Sequence, residues 1–366
     1  MFSFRTSSFM EQPDLVLRSG KIAMLCNQVA WHPEYGEYLF ETLTRRNNLV
    51  KVFMPEHSLY GKIAENIEIE EIDTAISVES LSDRDALVIE LQDVGSRYGN
   101  FINTVYSLFN TIKQHDIQIS VYILDRLNPA GRQVEGTMGS NGLPHRHGLT
   151  LGEISNMFYS ELNCKFPLHI ISATAEKVNK DLLSWTIPPF TDFAGLFTSH
   201  FYSGQCLWRG TNVSYGHGTT RPFERFGAPY MESLFDYNLS NGYDNWNDPR
   251  NPISNENLYI RWDRFVPAYG LYKDQICFGF QLMFIPGVTY HALNHALRLI
   301  RFVRDTCPQF KFEGLEFMLD DDVLYNYVSG RIEWEETKEY IKTEEQKWIR
   351  KAKKYLLYDE APWRVK

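Results

Sequence analysis

The chain has 366 residues, of which 43% are hydrophobic, 14% aromatic and 23% charged, a globular composition long enough for two domains with cores of their own. Its net charge of −9 comes without a long basic block, which argues against nucleic acid as a partner. Five scattered cysteines (Cys26, Cys164, Cys206, Cys277 and Cys307) form no CxxC, so neither a disulfide framework nor a zinc site is indicated. No run of about 18 apolar residues is present to span a membrane. Met1–Gly20 lacks an uninterrupted apolar core of the kind a signal peptide needs, and the expected address is cytoplasmic.

From Lys21 short apolar runs alternate with amphipathic stretches. Lys21–Cys26 (KIAMLC) reads as a first strand. Tyr35–Arg46 reads as a helix, with Arg45 and Arg46 suited to its C-terminal dipole and Asn47 and Asn48 to its stop. Leu49–Met54 is a second strand, ended by Pro55, which has no N–H to give a ladder. Ala86–Leu91 is a third. Phe101–His115 carries apolar residues at helical spacing, with Asn100 as its expected cap. Ile117–Leu124 is a fourth strand, and Thr150-Leu151-Gly152-Glu153 is a capping box opening the next helix. Strands alternating with helices give right-handed βαβ units, hence an α/β class with a parallel sheet covered on both faces.

The residues just past each strand locate a candidate site. Asn27 and Gln28 come after the first, Glu56 and His57 after the second, Gln92, Asp93 and Arg97 after the third, and Asp125, Arg126 and Asn128 after the fourth. Four strand ends deliver polar side chains to one edge of one sheet, and ligands of open α/β sheets bind outside that carboxyl edge. Asn27-Gln28-Val29-Ala30 is no GxGxxG, and GxxxxGK[ST] is absent, so no nucleotide cofactor is indicated.

A boundary falls at Trp185–Asp192, where two prolines interrupt the pattern, dividing the chain into 1–185 and 186–366. Gly204–Tyr230 then places five glycines among Asn212, Ser214, His217, Thr219, Arg221 and Glu224, a backbone and donor set suited to sugar hydroxyls or a carboxylate. Cys277–Ile285 reads as a strand, His291–Asp305 as a helix and Glu335–Leu357 as a final helix. Asp320-Asp321-Asp322 lacks calcium-loop spacing and reads as a cap or turn, and His145 and His147 have no third metal ligand nearby in sequence.

Several motifs together resemble the exo-β-N-acetylmuramidase family of the NamZ type. They are Pro55-Glu56-His57, Gln92-Asp93-Val94-Gly95-Ser96-Arg97-Tyr98, Asp125-Arg126-Leu127-Asn128-Pro129, Val134-Glu135-Gly136 and His147-Gly148-Leu149-Thr150-Leu151-Gly152-Glu153. They continue with Gly210-Thr211-Asn212-Val213-Ser214, Gly218-Thr219-Thr220-Arg221-Pro222-Phe223-Glu224, Gly227-Ala228-Pro229 and Tyr355-Leu356-Leu357-Tyr358. The resemblance implies a Rossmann-like domain followed by a smaller α/β (α+β) domain, with the active site in the cleft between them. It implies removal of terminal N-acetylmuramic acid from the non-reducing end of peptidoglycan fragments; from the residues themselves, no cofactor and no metal are expected. Glu56 becomes the catalytic carboxylate, and Tyr98 and His147 join the substrate-binding candidates. Ser58 stands where the family usually has glycine, Arg209 where it has glutamate, and His217 where it has arginine.

Glycoside cleavage needs an acid to protonate the leaving oxygen and a second group at the oxocarbenium-like carbon. Glu56 is the expected acid. Asp93 is a base or orienter, or Asp93 or His57 holds a 2-acetamido group that itself attacks. Arg97, Arg221 and Asn212 are candidates for a lactyl carboxylate and sugar hydroxyls. The alternative reading is a catalytically impaired relative that binds a cell-wall amino sugar, favoured by Arg209 and Ser58. A third is an α/β enzyme of another class acting on a phosphorylated or carboxylated sugar.

Overall fold

The computed structural model of the chain describes residues 20–32, 36–46, 49–55, 67–73, 75–171, 188–190 and 192–358. Six strands form the first sheet: β1 (Lys21–Cys26), β2 (Leu49–Pro55), β3 (Glu68–Ile72), β4 (Ala86–Glu90), β5 (Ser120–Leu124) and β6 (Leu168–Ile171). Their order is β3-β2-β1-β4-β5-β6, and every neighbouring pair is parallel. This is the doubly wound order, with its reversal between β1 and β4.

The alternation of side chains along each strand divides the core into two layers. Ala23, Leu25, Phe53, Leu87, Ile89, Val121 and Ile123 face helices α3 (Asn100–Gln114) and α4 (Leu151–Glu161). Ile22, Met24, Val52, Met54, Val88, Tyr122 and Leu124 face the other way, against Leu39, Phe40 and Leu43 of α1 (Leu39–Arg45). A parallel sheet needs both covers, because both faces of its central strands are apolar.

The four strands expected from sequence are present with small shifts: the third ends at Glu90 and the fourth starts at Ser120. The helix expected over 35–46 begins at Leu39, because Trp31–His32 and Glu37–Tyr38 pair as a short hairpin ahead of it. Asn100 is the first residue of α3 and not its cap; Gly99 holds the cap position without a side-chain bond. Thr150 caps α4 as expected, its hydroxyl accepting from Glu153 N while the Glu153 carboxylate accepts from Thr150 N. Three further elements of this half are not expected from the sequence: β3, β6 and α2 (Val78–Ser82).

The second half builds a three-stranded antiparallel sheet, with β9 (Cys277–Phe284) between β7 (Arg225–Ala228) and β8 (Leu258–Phe265). It packs with α5 (Thr198–Gln205), α6 (Ala292–Thr306), α7 (Leu315–Leu319) and α8 (Asp322–Val328) around Trp208, Phe226, Phe280, Leu293, Leu297 and Ile300. Asp321 caps α8 by accepting from Leu324 N. The final helix, α9 (Trp334–Ala352), is about 28 Å long at 1.5 Å per residue and serves both halves. Ile341 lies in the core of the second, whereas Trp348 and Ala352 lie in that of the first. Among the described residues no helix is long and apolar enough to cross a membrane.

Candidate active site

The carboxyl edge of the parallel sheet is bound together by its own polar side chains. At the reversal of strand order, Asn27 comes directly after β1 and exchanges two long hydrogen bonds with Gln92 after β4: Asn27 Nδ2 donates to Gln92 O (3.4 Å) and accepts at Oδ1 from Gln92 N (3.5 Å). Asn27 is fully buried, so its amide is committed to joining the ends of β1 and β4. Gln28 donates to Pro188 O, tying the chain between the two halves to this edge, and leaves its buried Oε1 without a partner among the described residues. Glu90, the last residue of β4, accepts from Arg126 Nη2 at 2.7 Å, and the same nitrogen donates to Val29 O at 3.0 Å. Glu90 and Arg126 are both buried. Pro55 ends β2 one strand to the other side of β1. Glu56 and His57 come next in sequence and lie outside the described residues, as does Ser58.

Asp93 and His147 form the best-defined pair at this edge. His147 Nε2 lies 3.0 Å from Asp93 Oδ2, and its Nδ1 accepts from Leu149 N at 3.2 Å. A ring nitrogen that accepts from a backbone N–H carries no proton, so the neutral ring has its hydrogen on Nε2 and donates it to the carboxylate. Asp93 Oδ2 also accepts from Gly95 N at 2.7 Å. Asp93 Oδ1 is buried and has no hydrogen-bond partner among the described residues. Gly95 adopts φ +84°, and a Cβ there would fall 2.4 Å from Asn128 Oδ1; a side chain at 95 would push the Asp93 loop off the 128–130 loop. The backbone of His147 is fixed as well, its carbonyl accepting from Trp348 Nε1 at 2.9 Å.

Three other candidates brace the fold around this pair. Asp125 accepts from Arg126 N, Gly152 N, the Thr150 hydroxyl and the Tyr358 hydroxyl at 2.7–2.9 Å. Its four acceptor positions are filled; burial raises its pKa, and the bonds from Thr150, Gly152 and Tyr358 oppose that rise. Arg97 donates to Thr137 O (3.0 Å) and to Leu319 O (2.6 Å) at the C-terminus of α7, where a cation complements the helix dipole. Tyr98 donates to Met318 O at 3.1 Å and meets His145 Nδ1. Burial, with Arg97 nearby, holds His145 well below the usual imidazole range, so it is neutral. These contacts join the first half to the second.

The glycine-rich segment contributes less uniformly. Asn212 donates to Gln309 O and accepts from Lys311 N and the Tyr230 hydroxyl at 2.8–2.9 Å, so its amide holds a loop of the second half. Ser214 accepts from Gly216 N, and Thr219 donates to Gly216 O, both turn contacts. Arg221 pairs with the buried Glu224, whose other oxygen accepts from Thr198 at the start of α5. His217 is the partly open member. Its Nδ1 lies 2.8 Å from Asp192 Oδ2, an ion-pair distance without hydrogen-bond alignment, and its ring meets Tyr215 and Tyr269.

Between the Asp93 loop and this segment lies a cluster of Val94, Phe193, Tyr202, Cys206 and Phe223, flanked by Tyr98, Phe190 and Tyr215. Tyr202 stands across it. Burial raises its phenol pKa, with Cys206, Tyr215 and Asp93 adding to the rise and Arg209 opposing it. Asp93 of the first half and Arg209 of the second therefore act on one hydroxyl. The structure thus gathers Asn27, Asp93, Arg126 and His147 at one edge and brings His217 with Asp192 to its aromatic border. Asn212, Arg221 and Glu224 are held in contacts of their own.

Glu90, Asp192 and Tyr202 are not among the residues the sequence brings forward. The signal for Glu90 is a carboxylate in the last position of an apolar strand. For Asp192 and Tyr202, on a connector and within α5, no spacing points to a site.

A doubly wound parallel sheet with its helices and a smaller antiparallel-sheet unit define an α/β architecture, and solved structures share it. Two DUF1343 family proteins from Bacteroides fragilis NCTC 9343 superimpose with TM-scores of 0.78 and 0.73, each covering 97% of this chain and 98% of its own, at 19% and 22% identity. The model of the N-terminal region of exo-β-N-acetylmuramidase NamZ matches residues 22–189, and that of its C-terminal region matches 200–358. The chain belongs to the NamZ exo-β-N-acetylmuramidase family. A curated relative, the peptidoglycan β-N-acetylmuramidase NamZ of Bacillus subtilis (strain 168), is 27% identical in an alignment 343 residues long that covers 89% of this chain and 75% of the relative.

Proposed function

We propose that this chain is a glycosidase that releases terminal N-acetylmuramic acid from the non-reducing end of peptidoglycan fragments. The observation that carries this reading is the ordered match to both halves of the family, 22–189 and 200–358. The chain is read as two domains, 1–185 and 186–366, and the two matches part a few residues further on, at 190–199. Its substrate is a muropeptide or amino sugar.

In this reading Glu56, directly after the end of β2, is the acid that protonates the departing glycosidic oxygen. His57 stands beside it in sequence and assists. Asp93, at the end of β4, faces the sugar from the other side of β1. Two strand spacings of about 4.8 Å separate the ends of β2 and β4, room for one pyranose ring. Asn27, Arg126 and Glu90 shape the crevice floor, and His217, with Asp192 and Tyr215, lines its rim.

A chromogenic aryl β-N-acetylmuramide tests the reading. The wild-type chain releases the aryl group and free N-acetylmuramic acid, and Glu56→Gln slows release by roughly 100-fold or more, the scale of general acid catalysis. Binding of the sugar without turnover by the wild type would overturn it in favour of a non-catalytic relative.

A further inference from the structure

We propose that Asp93 and Tyr202 form the pocket that recognises the 2-acetamido group of the sugar, with His147 as the residue that positions Asp93. The inference rests on the sugar-cleaving reading above and assigns the part of the site that reads the N-acetyl group. Asp93 Oδ1 accepts the amide N–H of the substrate, and the Tyr202 hydroxyl donates to its carbonyl oxygen.

Three observations converge. First, the two oxygens of Asp93 are unequal. Oδ2 is held by His147 Nε2 (3.0 Å) and Gly95 N (2.7 Å), while Oδ1 is buried without a partner among the described residues. A buried carboxylate oxygen without a donor is costly, which points to a ligand that brings one. Second, Tyr202 is held by edge-on contacts to Phe193 (5.2 Å between centroids) and Phe223 (4.8 Å), so its ring cannot swing aside. Its hydroxyl makes no hydrogen bond among the described residues, and its ring packs in one cluster with Val94, the residue directly after Asp93. Third, the surroundings are apolar. Val94, Phe193 and Phe223 are buried around Tyr202, and Val94 directly follows Asp93. A hydroxyl could satisfy Asp93 alone. An acetamide supplies a donor, an acceptor and a methyl group together, which matches a carboxylate, a phenol and an aromatic wall.

His147 is what makes the arrangement directional. Leu149 N fixes its tautomer and Trp348 fixes its backbone, so the Nε2–H always points at Oδ2 and Oδ1 is always the free atom. In Asp93→Asn the same two donors hold the amide oxygen, and the new NH2 group is turned toward the substrate N–H, donor against donor.

The test compares an aryl β-N-acetylmuramide with its 2-hydroxy analogue, using the full chain and reading the ratio of the two kcat/KM values. Asp93→Asn lowers the wild-type preference for the acetamido substrate by about 10- to 100-fold, the scale of a charge-assisted hydrogen bond. Tyr202→Phe lowers it by about 2- to 10-fold, the scale of a neutral one. His147→Leu lowers the ratio like Asp93→Asn, and His147→Gln, which retains an N–H, restores part of it. Variants that lose overall rate with an unchanged ratio would overturn the assignment. Calorimetry with free N-acetylmuramic acid and its 2-hydroxy counterpart separates this inference from the hydrolytic reading. A binding preference that disappears in Asp93→Asn supports the pocket even in a chain that does not cleave. Equal binding of both sugars by the wild type sinks the pocket whatever the activity.

Discussion

Glu135 ties the two halves together, and removing its charge tests how they are joined. This buried carboxylate accepts from Arg146 Nη1 (2.9 Å), the Ser203 hydroxyl (2.8 Å), Ala292 N (3.1 Å), Leu293 N (3.0 Å) and Gln133 Nε2 (3.2 Å). Ala292 and Leu293 open α6, so a side chain of the first half caps a helix of the second. Burial pushes the Glu135 carboxyl up, but His291, Arg146, Leu293 and Ser203 overcome that push and hold it below the ordinary carboxylate range. In Glu135→Gln the amide cannot accept from all these donors, and buried Arg146 keeps its charge without a counterion. Breaking a buried pair from one side costs about 3–5 kcal/mol. With about 2.1 cal/mol/K of unfolding entropy per residue, 366 residues give roughly 0.8 kcal/mol per degree. The expected fall in Tm is therefore about 4–6 °C if the chain melts as one unit, read by scanning calorimetry. Replacing both partners, Glu135→Leu with Arg146→Met, recovers part of the loss because no buried charge is left over. A Tm within about 1 °C of wild type in Glu135→Gln would show that the Glu135–Arg146 pair does not hold the two halves together.

Trp348 is fully buried and donates to His147 O, so Trp348→Ala lowers stability by about 3–5 kcal/mol in denaturant titration, whereas Trp348→Phe loses chiefly the hydrogen bond. His295 donates from Nε2 to Ile253 O and accepts at Nδ1 from Tyr290, and burial lowers its pKa to about 4. Its folded pKa lies below its unfolded value near 6.5, so the unfolded chain takes up the proton first. Stability from this group is complete above about pH 6.5 and is lost as pH falls toward 4, with a slope of up to about 1.4 kcal/mol per unit. His295→Gln, compared at pH 7.5 and 5 by urea unfolding, shows a weaker pH dependence than wild type. Gly204 lets α5 cross α6 closely: a Cβ there would lie 2.3 Å from Ala292 O and 2.8 Å from Ala296 Cβ. Gly204→Ala costs about 1–3 kcal/mol in the same titration, as overpacked contacts do.

The parts of the fold legible in the sequence are those whose residues carry one pattern throughout. β1, β2, β4 and β5 are apolar runs because both faces of the sheet are covered, and such runs are visible without neighbours. β3, with the sequence EIEEI, is hidden because it is an edge strand whose glutamates pair with Lys51 of β2 at 2.7–2.8 Å. That pattern has meaning only once the partner strand is known. β8 alternates buried and exposed residues along LYIRWDRF, but its charged and aromatic side chains interrupt the apolar run that marks the other strands. The final helix, expected to run from Glu335 to Leu357, ends at Ala352 in a short 3-10 turn over Lys353–Tyr355.

At the site, the strand-end rule brings Asn27, Asp93 and Arg126 forward, since local sequence alone decides which side chains lie just past a buried strand. Contacts across long separations are not readable. Nothing near Asp93 in sequence announces His147, 54 residues away, as its partner. Nothing near Asn212 announces that Gln309 and Lys311 occupy its amide. Hydrogen-bonding side chains in a glycine-rich segment look alike in sequence whether they hold their own loop or a ligand.

We propose hydrolysis of a terminal N-acetylmuramide with Glu56 as the acid. Its most direct measurement is the appearance of free N-acetylmuramic acid when the wild-type chain and Glu56→Gln are each incubated with the aryl β-N-acetylmuramide. Steady release is expected from the wild type, and a rate lower by roughly 100-fold or more from the variant. Release at equal rates by both chains, or by neither, would contradict it.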